Sequence, residues 1–485
     1  MSDKIGTREY RAHPFIIFGY LKPFLFVLLI PLLKALVQYI IYGQASGILL
    51  NELITAAIII IYAVFKQRNF RLVVGNDGFI IKSGLILYRA AKVDFDKLST
   101  IEVKRNPFDY LFRSATVRIN TEAGKRGKAD FEFKVSKNVT DDILYAAGKS
   151  ENTVNVRFSP LKIAVMAAAT SSSVTGMFIA VPIINQSGKL LGLALQDVLL
   201  RRINDVSEHF ARYVPPVVNT VTIVFLAFYA ASFLYSLLAN INFKIGVGED
   251  RVDVSSGLFA RHWISFKKSA VNSAIIEQTP LMRMLDRCIV QVEIGGYGSD
   301  KGDRAVVIPS VGRQAAKAEL AGVLKNVKKA KGEKHSAHKK SLFIYMLIPF
   351  YWVLGIVAAC VVLVLLFPAF KDLTVFFTII SMGIMAYYFY LAKYNYFYGE
   401  ISFAEVVYAR HSKWANIREI YCEAQKLGII TLTRFPGDKP RGTCNVKIII
   451  RSEAADSLTV KHVDYDSVLS QICDVYGIEK AVFDR

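Results

Sequence analysis

Six stretches of the chain are apolar almost without a break: residues 24–42, 48–65, 161–184, 217–238, 342–367 and 374–392. Each approaches the ~20 residues that a helix needs to cross bilayer hydrocarbon. Lipid offers the backbone no hydrogen bonds, so such stretches are expected as helices. Gly43, Gln44, Ala45, Ser46 and Gly47 join the first pair, and a short turn around Pro368 joins the third. Both pairs are therefore antiparallel hairpins. After each pair the apolar period falls to two, the mark of strands. In the first such section it predicts strands at 72–74, 79–82, 85–88, 115–121 and 131–135, with turns at Asn76-Asp77-Gly78 and Ser83-Gly84. Each section closes on a helical pattern, at 139–147, 313–327 and 465–476.

These sections repeat. Phe70 and Phe243, Ser83-Gly84-Leu85 and Ser256-Gly257-Leu258, and Pro107 and Pro280 all stand at one common separation. A third section is weaker: Ala409-Arg410-His411 parallels Ala260-Arg261-His262, Trp414-x-x-Ile417 parallels Leu98-x-x-Ile101, and the Asn-Pro-Phe segment is missing. Repeats at long spacing mean one structural unit used several times. The expected architecture is a multi-pass α-helical membrane protein with six transmembrane helices as three hairpins, each followed by an α+β domain. Each domain is a curved antiparallel sheet or half-barrel closed by its C-terminal helix. The expected divisions are an N-terminus at 1–23, a hairpin at 24–65, a domain at 66–150, a hairpin at 160–240, a domain at 241–330, a basic linker at 331–340, a hairpin at 341–393 and a degenerate third domain at 394–485. Within the second hairpin, Leu191, Leu195, Leu199, Ile203, Val206 and Phe210 recur at helical spacing in the connection 185–216. That is an amphipathic helix lying on the outer surface or one packed on neighbouring spans.

Composition sharpens this picture. The mean hydropathy is +0.34, yet the excess sits in the blocks alone, which points to a bilayer and not to a large core. The net charge of +20 suits nucleic acid or an anionic inner leaflet, and the apolar blocks favour the leaflet. Lys4, Arg8, Arg11 and Lys22 precede the first span, Lys66, Arg68 and Arg71 follow the second, and a lysine-rich run precedes the fifth. Positive residues stay inside, so both termini and all three domains are expected in the cytoplasm. The five cysteines, Cys288, Cys360, Cys422, Cys444 and Cys473, are odd in number and widely spaced, which excludes a disulfide framework and a zinc ribbon.

The strand order, the Ser-Gly-Leu turn, Leu98-x-x-Ile101-x-Val103, and Asn106-Pro107-Phe108 followed by Leu111-Phe112-Arg113 together resemble the bacterial pleckstrin-homology-like (PH-like) domain of membrane proteins, the YdbS/YdbT-like group. The three-copy arrangement is similar to the larger, YdbT-like kind. The resemblance implies PH-like barrels tethered to a bacterial inner membrane, a smaller single-domain relative as partner, and no enzymatic activity. It supplies no ligand residues.

Candidate chemistry is sparse. No histidine lies in a metal-binding spacing, and no P-loop or nucleophile elbow is present, so neither catalytic residues nor a cofactor nor a metal is expected. His335 and His338 are read as parts of a solvated tether. The Gly-rich stretches 124–128, 295–302 and 437–442 are taken as equivalent loops of the three copies, each carrying Lys or Arg: Lys125, Arg126 and Lys128; Lys301 and Arg304; Lys439 and Arg441. With Lys104, Arg105 and Arg113 in the first copy, and Lys267, Lys268 and Arg283 in the second, these are the candidates for contact with anionic headgroups, each worth ~1 kcal/mol near the surface. Solubilising charge is the plain alternative. Lys34 and Glu52 are ionisable groups inside spans, a functional pair by default or a structural one. The expected function is a non-enzymatic inner-membrane scaffold that binds partner proteins and anionic headgroups, in envelope maintenance or membrane-stress defence. The competing reading is a transporter or lipid-handling protein built from the repeated hairpins.

Overall fold

The computed structural model describes residues 8–21, 24, 47–84, 87–121, 129–147, 154–172, 216–258, 260–297, 304–324, 332–413, 415–451 and 457–479. Most of the first apolar stretch, the third from residue 173 onward and the connection 185–216 up to residue 215 lie outside these residues, as do Lys34 and the side chain of Glu52.

The chain divides into two compact units. The first comprises Met1–Val156, Lys244–Ala270 and Gly295–Asp300. Its opening strands are β1 (Arg8–Arg11), β2 (Arg71–Val74), β3 (Gly78–Ser83) and β4 (Arg89–Asp94), which pair in that order. Helices α1 (Ile16–Leu21) and α2 (Gly47–Arg68) lie between β1 and β2. Next come β5 (Leu98–Arg105), α3 (Pro107–Leu111), β6 (Ser114–Thr121), β7 (Phe131–Ser136) and α4 (Lys137–Ala146). Strands β8 (Val154–Arg157), β9 (Lys244–Val247), β10 (Arg251–Ser256) and β11 (Arg261–Lys267) complete a seven-stranded sheet, ordered β7-β6-β5-β11-β10-β9-β8. The alternation at Leu72, Val74, Phe79 and Ile81 turns one face inward, where it meets Leu98, Ile101, Phe133 and Ile143 in a single core. Burying each such side chain is worth ~1.5–3 kcal/mol.

The second unit comprises Arg157–Phe243, Val271–Ile294 and Lys301–Arg485. It holds α5 (Pro160–Thr170), α6 (Pro216–Asn240), β12 (Val271–Gln278), α7 (Pro280–Met284), β13 (Arg287–Ile294), β14 (Ala305–Gly312) and α8 (Arg313–Val323). Then follow β15 (His335–Ser336), α9 (Leu342–Leu366), α10 (Lys371–Tyr398), β16 (Glu400–Ser402), β17 (Val406–Lys413) and β18 (Asn416–Glu423). The last elements are β19 (Leu427–Thr433), β20 (Thr443–Ile450), β21 (Ser457–Asp464) and α11 (Tyr465–Tyr476). One sheet runs β14-β13-β12-β18-β17-β16-β15 and the other β19-β20-β21.

Two features of this order were not foreseen. A strand precedes each apolar helical section (β1, β8 and β15) and pairs with the strand that follows it, so the helices are inserted between the first and second strands of a sheet. And successive repeats share sheets: β5 pairs antiparallel with β11, placing Val103 opposite Trp263, and β12 pairs with β18, placing Ile275 opposite Ile420. The third section has the same seven strands and closing helix as the first, which its weak sequence match did not reveal.

Among the described residues three helices, Thr222–Asn240, Leu342–Leu366 and Leu373–Tyr398, are long and apolar enough to cross a membrane. Helix α2 runs through the second apolar stretch. Three local readings need correction. Of the apolar run at 85–88, Leu85 and Ile86 lie outside the described residues and the other two residues are not in a strand. Leu87 and Tyr88 stand exposed in a turn after Gly84, and the strand starts at Arg89, because the turn and not the ladder takes up these side chains. His335 is no tether residue: it is buried in β15, with Nε2 2.8 Å from Oε1 of Gln471. Arg261-His262 lies on β11, a fourth strand, whereas Arg410-His411 lies on β17, a third strand, so the two are not equivalent.

Helix α11 is capped by Asp464, whose Oδ1 accepts from the Ser467 amide at 2.9 Å and the Ser467 hydroxyl at 2.6 Å. Asp464→Ala is expected to lower stability by about 1 kcal/mol, read as a shift in the denaturant midpoint with unchanged slope.

Candidate membrane-facing site

The segment linking the fifth and sixth strands has one construction in all three repeats. A proline opens a short turn of helix at Pro107 or Pro280, and a one-turn 3-10 helix, Lys439–Arg441, holds Pro440 in the third. The segment ends on a residue of positive φ: Arg113 (52°), Asp286 (49°) or Gly442 (65°). Only the third is a glycine. Residues 437–442 therefore match 106–113 and 279–286, and not the loops at 124–128 and 295–302 as the glycine pattern suggested. The third repeat keeps this segment without the Asn-Pro-Phe signature.

In the first repeat the segment is anchored by Asp109, fully buried. Its Oδ1 accepts from Ser114 Oγ and from Lys134 Nζ, each at 2.7 Å, and its Oδ2 accepts from the Asn106 amide at 3.0 Å. Burial alone would raise this carboxyl, but Lys134, Ser114 and Asn106 outweigh it and hold it below the usual carboxylate range. Lys134 Nζ in turn sits 4.5 Å above the ring of Phe15, just before α1, and Phe15 stacks on Phe112 at 4.5 Å. The third repeat rebuilds this clasp. Thr443 Oγ1 donates to Asp438 Oδ1 at 3.3 Å, His462 Nδ1 lies 3.0 Å from that oxygen, and the His462 ring meets Tyr345 of α9 edge-on at 5.4 Å. Burial lowers His462 below its ordinary value despite Asp438. In the second repeat the clasp is apolar: Met282 of α7 packs on Met166 of α5. Every version fastens the segment to the start of the first helix inserted in that repeat. Sequence reasoning missed it, although Asp109-x4-Ser114 and Asp438-x4-Thr443 share a readable spacing.

The outer face of the segment is apolar where a soluble protein would be polar. Phe108 is 68% exposed, Leu111 75% and Met284 84%, with Phe112, Leu285 and Phe435 also open. Clustered exposed apolar side chains mark an interaction surface. Bases stand beside them: Arg113, Lys439 and Arg441 are exposed, and Arg105 lies over the ring of Tyr110 at 4.6 Å. Lys104 is exposed on β5. The other candidates divide. Lys267 donates to the Asp96 carbonyl and Lys268 lies in the turn after β11. Arg283 is held over the rings of Tyr390 and Tyr394 at 5.0 and 4.8 Å. Arg304 is spent inside the protein, on Glu293 at 3.0 Å and Glu277 at 3.4 Å. Lys125, Arg126, Lys128 and Lys301 lie outside the described residues.

A cavity of about 450 Å³ in the second unit is lined by Gln278, Arg313, Gln314, Lys317, Glu419 and Tyr421, among others. It mixes both signs of charge, and Arg313 donates to the Tyr394 hydroxyl at 3.4 Å, so it is no ready anion site. Among the described residues no group of three or more His, Cys, Asp or Glu is placed to hold a metal ion.

Antiparallel sheets with a closing helix, joined to apolar helices, define a membrane-associated protein built from repeated binding modules. The chain belongs to the bacterial PH domain family, whose family model matches residues 16–145 and 195–329, more than half its length. No curated protein and no solved structure matches it.

Proposed function

We propose that the protein is a non-enzymatic scaffold of the bacterial inner membrane, with PH-like repeats on the cytoplasmic face, the third included, and with six spans in three hairpins. One observation carries this reading. The segment between the fifth and sixth strands of every repeat is fastened to the start of an inserted helix and turns large apolar side chains outward, with exposed bases beside them in the first and third repeats. Such a surface suits the boundary between acyl chains and anionic headgroups, where a buried Leu or Phe gains ~1.5–3 kcal/mol and each base adds ~1 kcal/mol. Held there, the repeats would present their sheets to partner proteins, a smaller PH-like membrane protein among them, in the service of envelope maintenance.

The test uses the full chain in liposomes, with Cys360→Ala and a polarity-sensitive dye on Leu111→Cys or Met284→Cys. Both dyes are expected to emit to the blue and to be quenched by brominated acyl chains, while a dye on Glu132→Cys is not. Equal, water-like emission at all three sites would remove the proposal.

A further inference from the structure

Two joints inside the chain have one geometry, and among the described residues the two strands that match the halves of a third are both sheet edges. In each joint the fifth strand of a repeat pairs with the fourth strand of the next, β5 with β11 and β12 with β18. Each joint carries a carboxylate clasped by a base from the following repeat: Glu102 by His262 at 2.8 Å, and Glu277 by Arg418 at 2.9 Å. The remaining fifth strand, β19, is an edge of its sheet, and the remaining fourth strand, β4, is an edge of its own.

Burial records the difference. Strands β5 and β12 are buried along nearly their whole length, because the next repeat covers them, whereas β19 alternates between half-buried and exposed and leaves Ile429 57% exposed. An edge strand offers a row of backbone donors and acceptors for another strand to complete, and such addition is a recurrent mode of recognition.

We infer that β19 of one chain pairs antiparallel with β4 of a second copy, repeating between molecules the joint already made twice within one. The register follows from the one-turn 3-10 segments between the fourth and fifth strands, Phe95–Lys97, Lys268–Ala270 and Ala424–Lys426. Counting from these, Thr100 faces Phe266 and Ser273 faces Cys422. The same count sets Ile429 opposite Val93 and Thr431 opposite Ala91. Thr431 and Thr433 stand where the inner joints have Glu102 and Glu277, so the outer joint lacks an ionic clasp and is the weaker, reversible one. Because the edges are dissimilar, the contact is head-to-tail, which extends an assembly beyond a pair unless it closes. It does not depend on lipid contact by the segments described above.

The experiment uses full-length chains carrying two different tags, both with Cys360→Ala, co-expressed and kept in membranes. One bears Ala91→Cys and the other Thr431→Cys. Directly opposed residues in a ladder have Cβ atoms ~4.5–5.5 Å apart, close enough for mild oxidation to join them. A mixed disulfide is expected from this pair, and none from Ala91→Cys with Ile478→Cys. Ile429→Lys, which sets a charged side chain opposite the buried Val93, is expected to weaken co-purification of the two tagged forms about tenfold. Should that chain fail to fold, Ala91→Glu probes the same joint from the other edge. Absence of the mixed disulfide, co-purification unmoved by both substitutions, or a different protein held at β19 would each overturn the inference.

Discussion

Glu277→Ala is expected to lower the stability of the second unit by about 3–5 kcal/mol, the range for removing one partner of a buried ion pair. Glu277 lies on β12 and is 5% exposed. Its Oε1 accepts from Arg418 Nε at 3.0 Å and NH2 at 2.9 Å, and from Asn416 Nδ2 at 2.6 Å. Its Oε2 lies 3.4 Å from Arg304 NH1, and Arg304 Nε reaches Glu293 at 3.0 Å. Asn416 and Arg418 lie on β18 of the third repeat and Arg304 just before β14 of the second, so this carboxylate ties one repeat to the next. Alanine would strand Arg418 and Arg304 near one another without their shared counter-charge. The penalty comes mainly from those desolvated guanidinium groups and not from the lost attraction itself. The check is denaturant unfolding of the detergent-solubilised chain, followed by a probe on β18. A companion chain with Glu277→Met and Arg418→Leu, in which Arg304 stays paired with Glu293, should recover most of the loss, since a buried ion pair replaced by apolar groups of similar volume is often neutral. A single substitution costing under about 1 kcal/mol would mean that water reaches the cluster.

Much of this architecture is legible from apolar spacing alone. The unbroken runs became helices α2, α6, α9 and α10, and the period-two runs at 72–74, 79–82, 115–121 and 131–135 became β2, β3, β6 and β7. What the sequence hid has two physical causes. The first is brevity: β1, β8 and β15 have four, four and two residues, too few for a period to show, and their pairing partners lie beyond the inserted helices. The second is that pairing between repeats leaves no local mark. Strand β12, with Ala274, Ile275 and Ile276 all buried, reads as a central strand, but nothing in it names β18 as its neighbour. The basic candidates show the same limit. Counting charges found Arg113 and Arg304 alike, yet one lies open at the end of its segment and the other is enclosed by two glutamates, because a guanidinium's environment is set by strands distant in sequence.

Acidification offers the other large effect. His411 on β17 is buried, its Nδ1 donates to the Ser412 carbonyl at 2.8 Å, and its Nε2 has no partner among the described residues. A proton on Nε2 would place a charge in an apolar setting with nothing to accept from it, and this burial pushes the imidazole down to about 4 from an ordinary 6.5. The sign follows from proton counting. Between those two values the unfolded chain binds the proton and the folded chain does not, so stability rises with pH across the window. The contribution is complete above about 6.5 and is lost as pH falls toward 4, by about 3 kcal/mol in all. His462 is also lowered by burial and acts in the same direction. Asp464, lowered by its bonds to Ser467, loses its contribution only at more acid pH and stays outside the window. Unfolding free energies at pH 7 and pH 4.5 should therefore differ by about 2–3 kcal/mol in the native chain. In His411→Asn the difference should shrink to the part supplied by His462 and His13, both lowered by burial. A slope unchanged by that substitution would assign the acid sensitivity to other groups and return His411 to a site that water can reach.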